Sequence, residues 1–95
     1  MKVINASFFI KGDQRDNFLS DTKELISETR KEDGCLAYNL YESLEERNTF
    51  IMVEIWKDQF AIDTHNQNPL LQNFVSKIAH YSLKAPDLKI SELGE

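Results

Sequence analysis

Three side chains that could take part in chemistry fall in one short segment, residues 54–65. Glu54 and Trp56 share one face of a strand pattern, and His65 follows in a helix pattern. A neutral imidazole can take a proton near pH 7, and a carboxylate in apolar surroundings can orient that imidazole or hold a substrate hydroxyl. A tryptophan can stack on a flat aromatic molecule. The segment predicts acid–base chemistry on a small molecule, although each residue could also be part of a core or a structural ion pair.

His65 is the leading candidate for a catalytic base. It lies four residues after Ala61 and three after Ile62, so it continues the apolar side of its helix. The alternative is a half-buried histidine bonded to a carbonyl at the helix end.

His80 is predicted to be exposed, with no role in the site. The single cysteine, Cys35, follows a glycine with no activating base nearby, and it excludes a disulfide framework within the chain.

The strand that carries Glu54 and Trp56 is apolar on both faces. Phe50 and Met52 share the face of Glu54 and Trp56, whereas Ile51, Val53 and Ile55 lie on the other. Such a pattern is typical of a central strand covered on both sides. The pattern leaves open which of the two faces meets the helices.

The elements follow one another in the order β-α-β-β-α-β. We predict strands at 3–10, 35–42, 49–57 and 87–93. The first helix is predicted to run from an N-cap at Asp13 to a stop at Gly34, the second over 59–67, and a third helical segment begins at Asn68-Pro69. This is the α+β, ferredoxin-like arrangement, with a four-stranded antiparallel sheet in which strands one and three are central.

One face of this sheet would remain uncovered by the chain's own helices. Leaving large side chains in water costs about 1.5–3 kcal/mol each relative to burial, a large share of a typical stability of about 5–15 kcal/mol. The pattern therefore predicts a homodimer that forms through the sheet faces.

The overall composition narrows the class of protein. With 95 residues, we expect a single domain over 1–95. A net charge of −5 without a cluster of Lys and Arg argues against nucleic acid and anionic membranes as partners. No apolar run approaches the roughly 20 residues that span a bilayer, and the N-terminus lacks a signal-peptide pattern, so we predict a cytoplasmic protein.

The chain resembles the antibiotic biosynthesis monooxygenase family over nearly its whole length. The residues that carry the resemblance are Glu32-Asp33-Gly34-Cys35, Tyr38, the run from Phe50 to Asp58, Ala61, His65, Asn68-Pro69 and Phe74. The family includes quinol monooxygenases, haem-degrading monooxygenases and an isomerase of a phosphorylated sugar. The resemblance implies a dimeric α/β barrel with a small pocket between helices and sheet in each subunit. Asn5 resembles the polar first-strand residue with which some members hold substrate, so we count it with His65 as a catalytic candidate. Phe60 and Phe74 would line such a pocket, with plain core as the alternative.

Haem degradation is disfavoured within that family. Its haem-degrading members carry a tryptophan on the second helix and a histidine roughly ten residues beyond it, but here those positions hold His65 and Val75. No glycine-rich phosphate loop and no metal-ligand spacing is present in the sequence. We therefore expect no cofactor and no metal.

Three functions remain as hypotheses. The first is a cofactor-independent monooxygenase that oxidises a quinol or polyphenol with O2, with His65 as base. The second is an isomerase of a small carbonyl compound, which a basic group placed to hold phosphate would favour. The third is a non-catalytic dimeric binding or stress-associated protein, which a collapsed cavity around His65 would favour.

Overall fold

The computed structural model describes residues 1–93 and contains one antiparallel sheet with helices on one of its faces. The elements are β1 (Lys2–Phe9), a 3-10 turn (Gly12–Gln14), α1 (Arg15–Thr29), β2 (Cys35–Glu42), β3 (Thr49–Trp56), α2 (Gln59–Asn66), α3 (Pro69–Tyr81) and β4 (Asp87–Glu92). The last two residues of the predicted domain lie outside the described range.

The order of the strands in the sheet is β2-β3-β1-β4. This order confirms the predicted α+β, ferredoxin-like fold, with β1 and β3 in the centre. All three strand pairs are antiparallel, and Ala6 stands opposite both Met52 of β3 and Leu88 of β4. Strand β4 forms one edge of the sheet, and every one of its residues is exposed.

The structure answers which face of the sheet meets the helices. On β3 the buried residues are Phe50, Met52, Glu54 and Trp56, and on β1 they are Ile4, Ala6 and Phe8. We call this the inner face. The outer face carries the alternating residues, Val3, Asn5, Ser7 and Phe9 on β1 and Ile51, Val53 and Ile55 on β3, all of which are half-buried in the single chain.

The core is centred on Phe18 of α1, which is completely buried. Its ring lies 5.1 Å from the ring of Phe50, 5.6 Å from that of Phe8 and 6.0 Å from those of Phe74 and Tyr81. These separations are within the range in which aromatic pairs attract one another beyond simple burial. One side chain therefore joins α1 to α3 and to both central strands.

The two ends predicted for the first helix are wrong. Helix α1 begins at Arg15 because the 3-10 turn comes first, so Asp13 is not its N-cap, and it ends at Thr29, well before Gly34. Strand β2 has an irregular register between Cys35 and Ala37, which places Cys35 opposite Trp56 and packs it against the core. The other predicted strand and helix bounds agree with the structure to within one residue. Over residues 1–93, no helix is both long and apolar enough to cross a membrane.

Candidate active site

A cavity of about 750 Å³ lies between the inner face of the sheet and the helices. This is within the size range of small-molecule sites, roughly 300–1,000 Å³. Its walls are mostly apolar, and include Ile4, Ala6, Phe8, Leu25, Met52, Ile62, Leu71, Phe74 and Ile78. The side chains of Tyr38, Glu54 and His65 also line it and supply polar groups. The cavity can enclose an apolar body and still offer it a few polar contacts.

Helix α2 brings His65 to the cavity. The helix starts at Asp58, whose carboxylate accepts a hydrogen bond from the backbone N–H of Ala61 at 2.9 Å. Ala61, Ile62 and His65 are its buried residues, at the three- and four-residue spacing that makes one helix face. The side chain of His65 is only 3% exposed. This burial confirms the prediction that His65 continues the apolar side of the helix.

The turn before β2 fixes how closely α2 packs against the sheet. Gly34 has a φ of +85°, a conformation that glycine adopts without steric cost. A Cβ atom at Gly34 would lie only 2.6 Å from the Cβ of Ala61. Its carbonyl accepts a hydrogen bond from the N–H of Lys57 at 2.9 Å. The absence of a side chain here lets α2 lie directly against the turn.

The close packing places Glu32, in the same turn, against His65. The Nδ1–H of His65 donates to Oε2 of Glu32 at 2.8 Å, and the amide of Asn68 lies 3.5 Å from the same oxygen. A carboxylate can accept but not donate, so it holds the proton of a neutral imidazole on Nδ1. The lone pair is then on Nε2, for which residues 1–93 provide no hydrogen-bond partner. His65 is held in the form that can accept a proton.

Glu54 is the second acid–base group of the cavity. It is 7% exposed, and one carboxyl oxygen, Oε1, accepts a hydrogen bond from Trp56 Nε1 at 3.0 Å. Burial raises the pKa of Glu54 to about 7; the Trp56 hydrogen bond opposes this rise and the charge of Glu32 adds to it. At neutral pH the carboxyl therefore exists in both its neutral and its charged form.

Aromatic rings hold these two groups together. The ring of Trp56, completely buried, lies 4.7 Å from that of His65 at an interplanar angle of 34°. Tyr38 stands opposite Glu54 across the β2–β3 pair, and its ring lies 5.4 Å from that of His65. Burial raises the pKa of the Tyr38 hydroxyl, so it stays neutral and can donate or accept. We call Tyr38, Glu54, Trp56 and His65 the polar cluster.

The structure brings together some of the predicted site residues but not all. Glu54, His65 and Phe74 line the cavity, whereas Trp56 lies behind Glu54 and His65 and positions both. Phe60 is 78% exposed on α2 and does not line the cavity, because it lies on the helix side that faces water. Asn5 pairs with Val53 on the outer face, so the placement of Asn5 in the pocket of its own chain is corrected.

Sequence reasoning missed two residues of the site, Glu32 and Tyr38. Glu32 lies in a polar turn, where a carboxylate is normally a solvated surface charge, and its partner His65 is far away along the chain. One signal was Gly34, two residues further on, a glycine that permits close approach. Tyr38 alternates with Leu36 and Leu40 in sequence and reads as an ordinary core residue of a strand.

Exposed apolar side chains surround the opening of the cavity. Val75, Leu83, Leu88 and Ile90 line it and are each more than half exposed. Lys84 is the only lysine or arginine among the lining residues within 1–93, and its Nζ lies 4.2 Å from the centre of the Phe9 ring, which belongs to the outer face. The described lining therefore has carboxylate and imidazole groups inside and no cation directed at them.

A ferredoxin-like sheet that encloses an apolar cavity with a paired histidine and carboxylate defines a small α+β domain suited to acid–base chemistry on a small molecule. The chain belongs to the antibiotic biosynthesis monooxygenase family, whose model matches residues 1–77.

Relatives in sequence and in structure agree with this assignment. A protein of Bacillus subtilis, "Putative monooxygenase YcnE", is 40% identical over 96 aligned residues, with both chains fully covered. A crystal structure described as an antibiotic biosynthesis monooxygenase is 27% identical, with a TM-score of 0.92 and full coverage of both chains. The structure of Rv0793 from Mycobacterium tuberculosis is 25% identical, with a TM-score of 0.91 over 99% of this chain and 96% of that one.

Proposed function

We propose that this protein is a cofactor-independent monooxygenase that oxidises a small phenol or hydroquinone with O2, with His65 as the base. The observation that supports the proposal is the hydrogen bonding and burial of His65. Its Nδ1 is bound to Glu32, and its Nε2 has no partner within residues 1–93, although the ring is buried and lines an apolar cavity. A base held in this way is ready to take a proton from a hydroxyl group of a bound aromatic molecule.

Removal of the phenolic proton makes the substrate a good electron donor. The resulting anion passes an electron to O2, and the two radicals combine at a ring carbon. The aromatic substrate supplies the electrons, so the protein contributes deprotonation, orientation and a cavity that excludes water. In the overall reaction of a hydroquinone, hydroquinone and O2 are converted to hydroxyquinone and water. One oxygen atom of O2 is added to the ring.

Two features of the cavity weigh against the alternatives. An isomerase of a phosphorylated compound needs a cation near the reacting end, but the one lining cation, Lys84, has its ammonium group over Phe9. A non-catalytic protein with a vestigial pocket is expected to have a collapsed cavity, whereas about 750 Å³ is open here.

Oxygen consumption tests the proposal directly. The purified protein is supplied with a panel of hydroquinones and polyphenols, and uptake of O2 is followed with an electrode beside a no-protein control for autoxidation. We expect uptake above the control for at least one compound, together with a product that gains one oxygen atom from labelled O2. Uptake at the control rate for every compound would contradict the proposal.

The hydrogen bond from His65 to Glu32 leads to a further prediction, for Glu32→Gln. An amide offers both a donor and an acceptor, so it no longer dictates which ring nitrogen of His65 carries the proton. We expect kcat for a phenol that the wild type oxidises to fall by about 10- to 100-fold, by analogy with the partners that orient metal-binding histidines. KM is expected to change little, because Glu32 is not among the residues that line the cavity.

Nitrogen NMR of His65 gives a readout that does not depend on turnover. The wild type should show the Nδ1–H form, and Glu32→Gln should show a mixture of the two neutral forms. Glu28→Gln is the matched control, since Glu28 is an exposed glutamate of α1 that forms a salt bridge with Lys31. An unchanged His65 spectrum in Glu32→Gln would show that Glu32 does not set the tautomer.

We also propose that two copies associate through the outer faces of their sheets. The apolar outer-face residues Val3, Phe9, Ile51, Val53 and Ile55 are covered by no helix, and their burial against a second copy would stabilise the assembly. Val53 lies between Asn5 and Asn39 in the sheet, so Val53→Asp places a charge at the centre of this face.

Sedimentation velocity checks the assembly. We expect the wild type to sediment as a dimer and Val53→Asp as a monomer, since an unpaired buried charge is costly. Leu44→Asp is the control, because Leu44 is fully exposed in the loop between β2 and β3 and the same charge there should leave the dimer intact. A dimeric Val53→Asp would place the interface elsewhere.

A further inference from the structure

Glu54 has one carboxyl oxygen that the protein leaves free. Oε1 accepts the hydrogen bond from Trp56, while Oε2 has no partner within residues 1–93. The residue is 7% exposed, and it lines the cavity that also contains His65. A carboxyl oxygen without a partner can still accept a hydrogen bond, or donate one when it carries the proton. The free oxygen is therefore available to a molecule inside the cavity.

The surroundings of Glu54 favour its neutral acid form. Tyr38 and Cys35 approach it from β2, His65 from α2 and Glu32 from the preceding turn, while its neighbour on β1, Ile4, is apolar. Burial and the negative charge of Glu32 raise its pKa to about 7. A general acid works best when its pKa lies near the working pH. Glu54 is a carboxyl group that can hold a proton at neutral pH and release it.

We infer that Glu54 is a second catalytic residue, a general acid that protonates the oxygen leaving as water when the peroxide formed on the substrate breaks down. The inference rests on the proposed oxygenase function and adds to it a separate group for the second half of the reaction. His65 starts the reaction by removing a proton, and Glu54 completes it by supplying one. Both groups face the same cavity and both contact Trp56.

The atoms and electrons of this sequence balance for a hydroquinone. His65 takes the hydroxyl proton, the anion reduces O2, and recombination forms a C–O bond at a ring carbon that still carries hydrogen. The proton of His65 returns to the peroxide, giving a hydroperoxide. The ring C–H proton then passes to His65, the O–O bond breaks, and the departing hydroxide takes the proton of Glu54. The products are hydroxyquinone and water, and a proton returned from His65 restores Glu54.

Without the acid, the hydroperoxide has another balanced route. The C–O bond to the peroxide breaks instead of the O–O bond, and hydroquinone plus O2 yields quinone plus hydrogen peroxide. Oxygen is then consumed while no oxygen atom enters the ring. The ratio of hydrogen peroxide released to O2 consumed therefore reports the role of Glu54 apart from that of His65.

The experiment compares the wild type with Glu54→Gln on a hydroquinone that the wild type oxidises. We expect Glu54→Gln to release at least fivefold more hydrogen peroxide per O2 than the wild type, with a matching loss of hydroxyquinone. Glu28→Gln, on the exposed side of α1, is the control and should behave as the wild type. A Glu54→Gln protein that couples O2 to hydroxyquinone as fully as the wild type would overturn the inference.

A binding measurement separates this inference from the oxygenase proposal. 2-Acetylnaphthalene is a flat ketone that accepts hydrogen bonds and donates none, and its binding can be followed by Trp56 fluorescence. We expect its affinity for the wild type to fall about tenfold as the pH rises through about 7 and Glu54 loses its proton. In Glu54→Gln, whose amide donates at every pH, this fall should disappear. The same fall in both proteins would overturn the inference, even if no compound proves to be oxidised.

Thermal unfolding shows whether Glu54→Gln is folded. If it is not, Glu54→Asp replaces it in the turnover experiment, since aspartic acid keeps the proton but ends one methylene short of the cavity. We then expect an intermediate release of hydrogen peroxide. The assignment would be contradicted if a folded Glu54→Asp protein converted all consumed O2 into hydroxyquinone while its fall in ketone affinity with pH was 10-fold smaller than that of the wild type.

Discussion

Replacement of His65 by alanine is expected to lower the rate of oxygen uptake by about 10²- to 10⁴-fold, the usual contribution of a general base. Neither Glu32 nor Tyr38 can replace the base: the carboxylate is engaged by Asn68, and the hydroxyl of Tyr38 is a far weaker base. The effect should appear in kcat, because the apolar walls that bind the aromatic body are unchanged. Oxygen electrode traces over a range of substrate concentrations separate kcat from KM.

His80 provides the matched control for this experiment. It is the only other histidine of the chain, and it is exposed at the end of α3. His80→Ala should retain the activity of the wild type and its thermal stability. Equal loss in both variants, or full activity in His65→Ala, would exclude His65 as the base and with it the mechanism proposed above.

The fold could be predicted because its signals are local. The apolar run of β3 and the pair Asn68-Pro69 at a helix start each act within a few residues, and both agree with the structure. The start of α1 was missed because a 3-10 turn and an α-helix begin with similar residues. The irregular register of β2 between Cys35 and Ala37, which packs Cys35 against the core, has no signal in the sequence pattern.

The position of a site residue could be predicted only where the pattern of a single helix or strand determines it. The burial of His65 follows from helix periodicity, but its bond to Glu32 joins residues 33 positions apart and depends on how α2 packs. The facing of Asn5 could not be decided because β3, with which β1 pairs, is apolar on both faces, so the pattern does not show which face of the sheet meets the helices. Phe60 was misplaced because an aromatic residue on a short helix is not always buried, and only the packed structure shows that it faces water.

Gly34→Ala is expected to cost about 2–5 kcal/mol of stability. A left-handed conformation costs a residue with a Cβ about 1–2 kcal/mol, and crowding at a packed contact costs typically 1–3 kcal/mol. Both apply here, since φ is +85° and the added Cβ would lie 2.6 Å from Ala61. For a domain of this size, such a loss lowers Tm by on the order of 10–25 °C. Calorimetry measures both quantities.

The same change should also impair activity, because relief of the contact moves α2 away from the turn and lengthens the bond between His65 and Glu32. Gly12→Ala is the control: its added Cβ would lie 3.7 Å from the nearest atom, an ordinary contact, and its φ is not positive. Adding Ala61→Gly to Gly34→Ala removes the contact but not the backbone strain. The double variant should therefore be more stable than the sum of the single changes, and strict additivity would show that α2 does not rest on this glycine.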